Sequence, residues 1–390
     1  MTHEADRGRG VLQRRRAGGS FGVALASVVV GLVLLAACGS EDVQRGTASE
    51  ALEEVAALDL SPEETVEHLA ERAREEGEVL LYGSSNAALL EAWAERFEVD
   101  YPDIDLEFVR LPPTELEERI LAEARAGRHL VDVVDVNAVV GTALRDEGLL
   151  ADHHQVPIPA GFPSAYVGGW HATTQLMPNV MAWNTDAVEA DEVPTSWEDF
   201  LDPAHAGCWL NVDPRTFVTM LVVERGQDGA ESWLRGFLDN GGRVAESHSG
   251  MARSLAAGEY DCAVYLFDYD VEGLIVEDDA PLAWEPADPT PANSINAHLA
   301  DEAANPHAAA LLMHWLLDPD GGAAVVRDEG RLAPHPDVEP LRERMRPWVV
   351  DGSELAELLL PIGPELAAEH GEQVTELIEE YLVPGVAAGD

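Results

Sequence analysis

Three short turns combine anion-binding groups with the expected start of a helix: Ser84-Ser85-Asn86, Arg215-Thr216 and His248-Ser249. The free N–H groups of a first helical turn, backed by the helix dipole, already favour negative charge. Hydroxyls add hydrogen bonds, and a guanidinium at Arg215 adds a two-pronged contact to carboxylate or phosphate. Each turn taken singly is also explained by capping, because serine, asparagine and histidine before a helix commonly satisfy its first donors. Three such turns meeting at one cleft suit a small organic or phosphorylated anion. Asp135 and Asp268, with Tyr269 or Trp170, offer the opposite chemistry, an acid and an aromatic face for an organic cation. Tyr265, Phe267 and Tyr269 recur at strand period, so packing explains them equally well.

Catalytic patterns are missing from the sequence. It has no G-x-S-x-G elbow, no H-E-x-x-H helix and no phosphate-binding Walker loop, and its 13 histidines are scattered. His153 and His154 are adjacent, so on a strand their rings face opposite ways and chelate poorly. Asp132 and Asp135 imitate a carboxylate pair, but Asp132 opens an apolar strand and is better placed to cap it. A binding function without turnover, and with no required cofactor, is the expectation.

The elements that must position these residues alternate regularly. Ser61-Pro62-Glu63-Glu64 carries an N-cap, a proline at the first helical position and a glutamate at the third, and Gly77 ends that helix. Strands are expected at 78–82, 105–109 and 131–136, with helices at 87–97 and 114–126 between them. A second set follows, with strands at 208–212, 243–246 and 261–267 and helices at 217–224 and 251–257. Alternation of this kind predicts a parallel α/β sheet, whose ligands sit beyond the carboxyl ends of the strands. Apolar residues from Leu355 to Tyr381 predict closing helices on a lobe.

Residues 1–37 read as an export signal: Arg14-Arg15-Arg16, an apolar run from Phe21, then Leu35-Ala36-Ala37 before Cys38. A plain membrane anchor is the alternative. Residues 38–60 are polar and acidic without clear period, as in a flexible tether. The chain holds 24 basic and 73 acidic residues, of which 1–37 contain five arginines, Glu4 and Asp6; the remainder has 19 basic against 71 acidic, a net of −52. Such a field excludes a nucleic-acid partner. Every basic residue is arginine, a matter of codon bias rather than of a site. With Cys38 set aside, Cys208 and Cys262 are an even pair outside the cytoplasm, either disulfide-bonded or buried as free thiols. Roughly 350 residues exceed one core, so two lobes are expected.

Glu76-Gly77-Glu78-Val79-Leu80-Leu81-Tyr82-Gly83-Ser84 resembles the opening of the extracellular solute-binding proteins of ABC importers, the group with ferric-ion, thiamine, polyamine and phosphonate binders. Ser196-Trp197-Glu198-Asp199-Phe200-Leu201-Asp202-Pro203 is similar to that family's entry to the second lobe, and Met181-Ala182-Trp183-Asn184-Thr185 to its crossover strand. Asn305-Pro306-His307-Ala308-Ala309 with Trp315-Leu316-Leu317 is similar to its late helix, although Asp318 replaces the usual serine. Leu35-Ala36-Ala37-Cys38 resembles a lipobox, which implies a lipid on Cys38.

The resemblance implies an α/β, two-lobed type 2 periplasmic-binding-protein fold with two hinge crossovers and a cleft between the lobes. Lobe 1 would be 61–175 with 295–349, and lobe 2 would be 176–294 with 350–390. It also implies a monomer tethered outside the cytoplasm, with a permease and an ATPase as partners. In the ferric branch it implies adjacent tyrosines, falling here on Asp268 and Tyr269, with a histidine position on Asn86 and a glutamate position on Asn137. Asp268 and Tyr269 can still ligate iron(III), a hard cation, together with a synergistic anion. Iron(III) is the leading named solute because that branch carries it, with a small phosphonate-like anion beside it and an organic cation as the alternative.

Overall fold

Ser61 accepts a hydrogen bond from the Glu64 amide, and Glu64 answers by accepting from the Ser61 amide, so helix α2 starts at Pro62. It runs Pro62–Glu76 and stops at Gly77, whose φ of 79° lies in the left-handed region that glycine tolerates. The computed structural model describes residues 47–152, 155–189, 192–211, 214–245, 247–341 and 359–386. The export signal, Cys38 and the pair at 153–154 lie outside them.

Ahead of α2 comes α1 (Ala48–Ala56), closed by a second capping box between Thr47 and Glu50. Residues 48–56 therefore correct the expectation of an aperiodic tether through residue 60. Ala48, Leu52 and Val55 share one helical face and are buried, and the Ala48 amide donates to the Asp301 carbonyl at 2.7 Å. Glutamates on the other face mask this period in the sequence.

The first half continues as β1 (Glu78–Gly83), α3 (Ala87–Asp100), β2 (Asp105–Arg110), α4 (Pro113–Arg125), β3 (Val133–Asn137) and α5 (Ala138–Asp146). β1 pairs in parallel with β2 and β3. Asp132, 1 % exposed, braces this half. Its carboxylate accepts from the amides of Leu80 and Asn305 at 2.9 Å each and from the Asn305 side chain at 3.1 Å. Asp132 thus ties β1 to the Asn305 segment.

β4 (Ala172–Asn184) is thirteen residues long and buried throughout. Its first part runs antiparallel to β9 (Thr290–Leu299), and its second part runs antiparallel to β7 (Cys262–Phe267) and β8 (Leu282–Glu285). Between them lie β5 (Trp209–Asn211), α6 (Arg215–Asp239), β6 (Arg243–Ala245), α7 (His248–Ala256) and α8 (Asp268–Asp278). The strand order is β2-β1-β3-β9-β4-β7-β5-β6. β9 breaks the expected all-parallel pattern because it returns antiparallel to β3 as well as to β4. α6 also runs longer than expected, passing a kink at Gly226 (φ 70°).

α9 (Pro306–Leu317) and α10 (Gly322–Asp328) rejoin the first core. β10 (Leu359–Ile362) then adds to β9 in parallel, and α11 (Pro364–Leu377) follows. One core gathers Leu69, Tyr82, Trp93 and Phe97 with Leu311 and Trp315. A second gathers Trp197, Phe217, Trp233 and Tyr265 with Leu377, and a third lies around Leu176, Leu266 and Trp284.

Cys208 and Cys262 form a disulfide with Cα atoms 4.8 Å apart, at the starts of the paired strands β5 and β7. It spans 54 residues, and closing a loop of that order stabilises a fold by about 2–4 kcal/mol. Replacing both cysteines by alanine is expected to lower the urea midpoint accordingly, and the variant's melt should no longer respond to dithiothreitol. An equal midpoint in both proteins would show that the bond adds no stability.

Candidate functional site

A hollow of about 380 Å³ opens where the starts of α5, α6 and α7 meet α11. Asn137, Arg215, Thr216 and His248 all line it, so residues from both sequence halves reach one space. Asn137 caps α5 by accepting from the Val140 amide at 3.1 Å. Pro214 precedes α6 and contributes no capping side chain. Arg215 opens that helix and donates to the Thr375 hydroxyl on α11 at 2.9 Å. The floor is Tyr265 and Asn293, joined by a 3.1 Å hydrogen bond from the phenol to the amide oxygen.

His248 packs on Phe267 with ring centroids 4.3 Å apart. Burial pushes its pKa down to about 4, against the opposing pull of the Tyr265 backbone. The ring is therefore neutral at pH 7, and its Nδ1 has no hydrogen-bond partner among the described residues.

The remaining expected residues lie elsewhere. Asn86 caps α3, accepting from the Leu89 amide at 3.1 Å. The Ser84 amide donates to the Asp135 carbonyl at 3.0 Å. Ser249 donates to Asp270 at 3.5 Å. Ser84, Ser85, Asn86, Asp135, Ser249, Asp268 and Tyr269 are not among the residues that line the hollow.

Several of them belong instead to a buried polar chain. Thr174 donates to Asp135 at 2.8 Å and Ser85 donates to it at 3.4 Å. The Gln175 amide donates to Ser85 at 2.7 Å, and its oxygen accepts from Arg331 at 2.9 Å. The Arg331 guanidinium, 7 % exposed, then lies 4.7 Å from the centre of the Tyr269 ring. Burial is the main cause that raises the Tyr269 phenol above its usual range, and Asp270 adds to it.

This chain bears on both cation readings. Arg331 already covers the Tyr269 face that an organic cation would use. Trp170 stacks on His298 with centroids 5.2 Å apart, and Asp135 is fully buried. A ferric ion would need the Tyr269 phenolate, the form that burial and Asp270 disfavour. Among the described residues no group of three or more His, Cys, Asp or Glu is arranged to hold a metal ion.

Sequence reasoning missed Arg331, Gln175 and the α11 wall. Gln175 carried a readable signal, since Thr173-Thr174-Gln175 puts three consecutive polar residues in a buried strand. Arg331 carried none, because it follows α10 in an irregular segment.

Residues 92–351 match the family model described as bacterial extracellular solute-binding protein, and the chain belongs to that family, a transport family rather than an enzyme family. The fold is similar to iron-bound HitA from Pseudomonas aeruginosa, at TM-score 0.61 and 20 % identity over 78 % of this chain and 99 % of that one. It is also similar to FutA (IdiA) of Trichodesmium in complex with iron and citrate, at 0.62 and 17 % over 77 % and 99 %. AfuA from Actinobacillus pleuropneumoniae with exogenous fructose-6-phosphate bound gives 0.60 and 20 % over 79 % and 99 %. The sequence matches none of the curated proteins compared with it. The fold is thus the two-lobed type 2 periplasmic-binding α/β fold, and no helix among the described residues is long and apolar enough to cross a membrane.

Burial raises Asp135 to about 6 from its ordinary 3.8, against hydrogen bonds from Thr174 and Ser85. A raised folded-state pKa means that this carboxyl stabilises the fold fully below pH 3.8 and loses that contribution as pH rises through about 6. His248 has the opposite sign, so wild type must be compared with a variant to isolate Asp135. Asp135→Asn is expected to gain on wild type in urea midpoint between pH 4 and pH 7. A pH-independent difference would show that Asp135 does not titrate in that window.

Proposed function

We propose that this chain is the receptor of an ABC importer, capturing a small anionic solute between its two lobes and delivering it to a permease and ATPase. The lobes are 61–175 with 295–349 and 176–294 with 350–390; the receptor works as a monomer held outside the cytoplasm by a lipid on Cys38. The observation that carries the anion reading is the convergence of α5, α6 and α7 on one hollow with Arg215 at its wall. Each helix start favours an anion by about 0.3–1 kcal/mol, and a charge-assisted bond from arginine adds about 1.5–3 kcal/mol. A solute touching residues of both lobes binds the closed arrangement better and shifts the population towards it.

The iron- and citrate-bound relative keeps a second reading in view. Iron(III) would then arrive as a complex whose anion meets Arg215, rather than as a bare ion held by Asp268 and Tyr269.

Thermal-shift and calorimetric titration of the purified protein with organic acids, phosphonates and ferric citrate test this. Arg215→Ala should weaken the bound ligand about ten- to a hundredfold, whereas Tyr269→Phe should leave binding within about twofold. Loss through Tyr269→Phe, with Arg215→Ala unaffected, would move the site to α8 and favour metal. Because the exported portion of the chain carries a net charge of −52, added salt should speed association of the anion by screening that repulsion.

A further inference from the structure

We infer that α11 is the specificity wall of the hollow, and that the solute is an organic anion with an acidic head and a short apolar body. This inference rests on the anion reading above. α11 packs against α6 on one side and α5 on the other, so it closes the space between the two groups of helix starts. Ala367, Ala368, Gly371, Val374 and Thr375 line the hollow, and their spacing sets them on one face of the helix. Ile362 of β10 extends that apolar surface.

The lining of the hollow is therefore of two kinds: Arg215, Thr216, Asn137 and His248 are polar, and most of the α11 side chains are small or apolar. Thr375 joins the two, because its hydroxyl accepts the bond from Arg215. A wall built of alanine and glycine leaves room, and a Cβ placed on Gly371 meets no atom within 4 Å.

Size argues the same way. At roughly 30 Å³ per water, 380 Å³ holds about a dozen waters, well beyond the five heavy atoms of inorganic phosphate. A bare oxyanion would leave the α11 wall wet. Each methylene of a tail laid against it should instead raise affinity about fourfold, until the chain outgrows the space.

Calorimetry on the purified protein with straight-chain carboxylates from acetate to octanoate, alkylphosphonates from methyl to hexyl, and inorganic phosphate tests the wall. The expected result is an affinity that climbs with chain length to an optimum, at least tenfold above inorganic phosphate. Gly371→Leu should cut binding of the optimal probe at least a hundredfold, and Gly371→Ala should move the optimum to a shorter chain. Both replace a mid-helix glycine by a better helix former, so their melting temperatures should not fall. If wild type ignores chain length, or both variants keep its profile while Arg215→Ala loses binding, the wall is wrong and the anion reading stands. If no probe binds wild type, both fail.

Discussion

The antiparallel pair of β4 and β9 is the constraint on which the rest depends. Both strands are buried almost throughout, yet they carry polar side chains, and buried polar groups are tolerated only when paired. Thr173 donates to Asn296 at 2.9 Å, and the Asn179 amide donates to Asn293 at 3.0 Å. These bonds fix the register of two strands that serve both parallel sets of the sheet. Every loop that reaches the hollow is placed relative to them, and Asn293 and Ser294 of β9 lie in its lining.

On the anion reading, local electrostatics rather than the overall charge would decide what the hollow accepts. The surface is strongly acidic, and long-range attraction of an anion is therefore ruled out. What remains is short-range: helix starts, one arginine and a neutral histidine. Asp135 of β3 and Tyr269 of α8 are turned to another use. Asp135, Ser85, Gln175, Arg331 and Tyr269 form a buried chain from the first parallel set to α8. With Arg331 over Tyr269, the protein supplies its own cation where the ferric-branch resemblance would place iron.

Much of the scaffold was legible in the sequence because its signals are local. Ser61 and Gly77 marked both ends of α2, and strands β1, β2 and β7 fall within a residue or two of their apolar runs. α1 was not legible, because glutamates diluted its three-residue apolar face. β9 was not, because Asn293, Ser294 and Asn296 break the apolar pattern that marks a buried strand. For the site, Arg215, Thr216 and His248 were identifiable as helix-start residues and do share the hollow, as does Asn137, which the sequence suggested only as the glutamate position of the ferric branch. Ser84, Ser85, Asn86 and Ser249 had the same local appearance but serve as caps and internal partners. Local sequence specifies a helix start; which cavity it faces is set by tertiary packing. The α11 wall, with Ile362 just before it, lies far along the chain from the polar lining residues, so no spacing could connect it to them.

An anion seated among the starts of α5, α6 and α7 is tested most directly by a crystal structure with the tightest-binding organic acid or phosphonate. The account predicts the acidic head within hydrogen-bond distance of the Arg215 guanidinium, with Asn137 on the opposite side. Density for that ligand, or for iron, at Asp268 and Tyr269 with the hollow beside Arg215 filled only by water would contradict it.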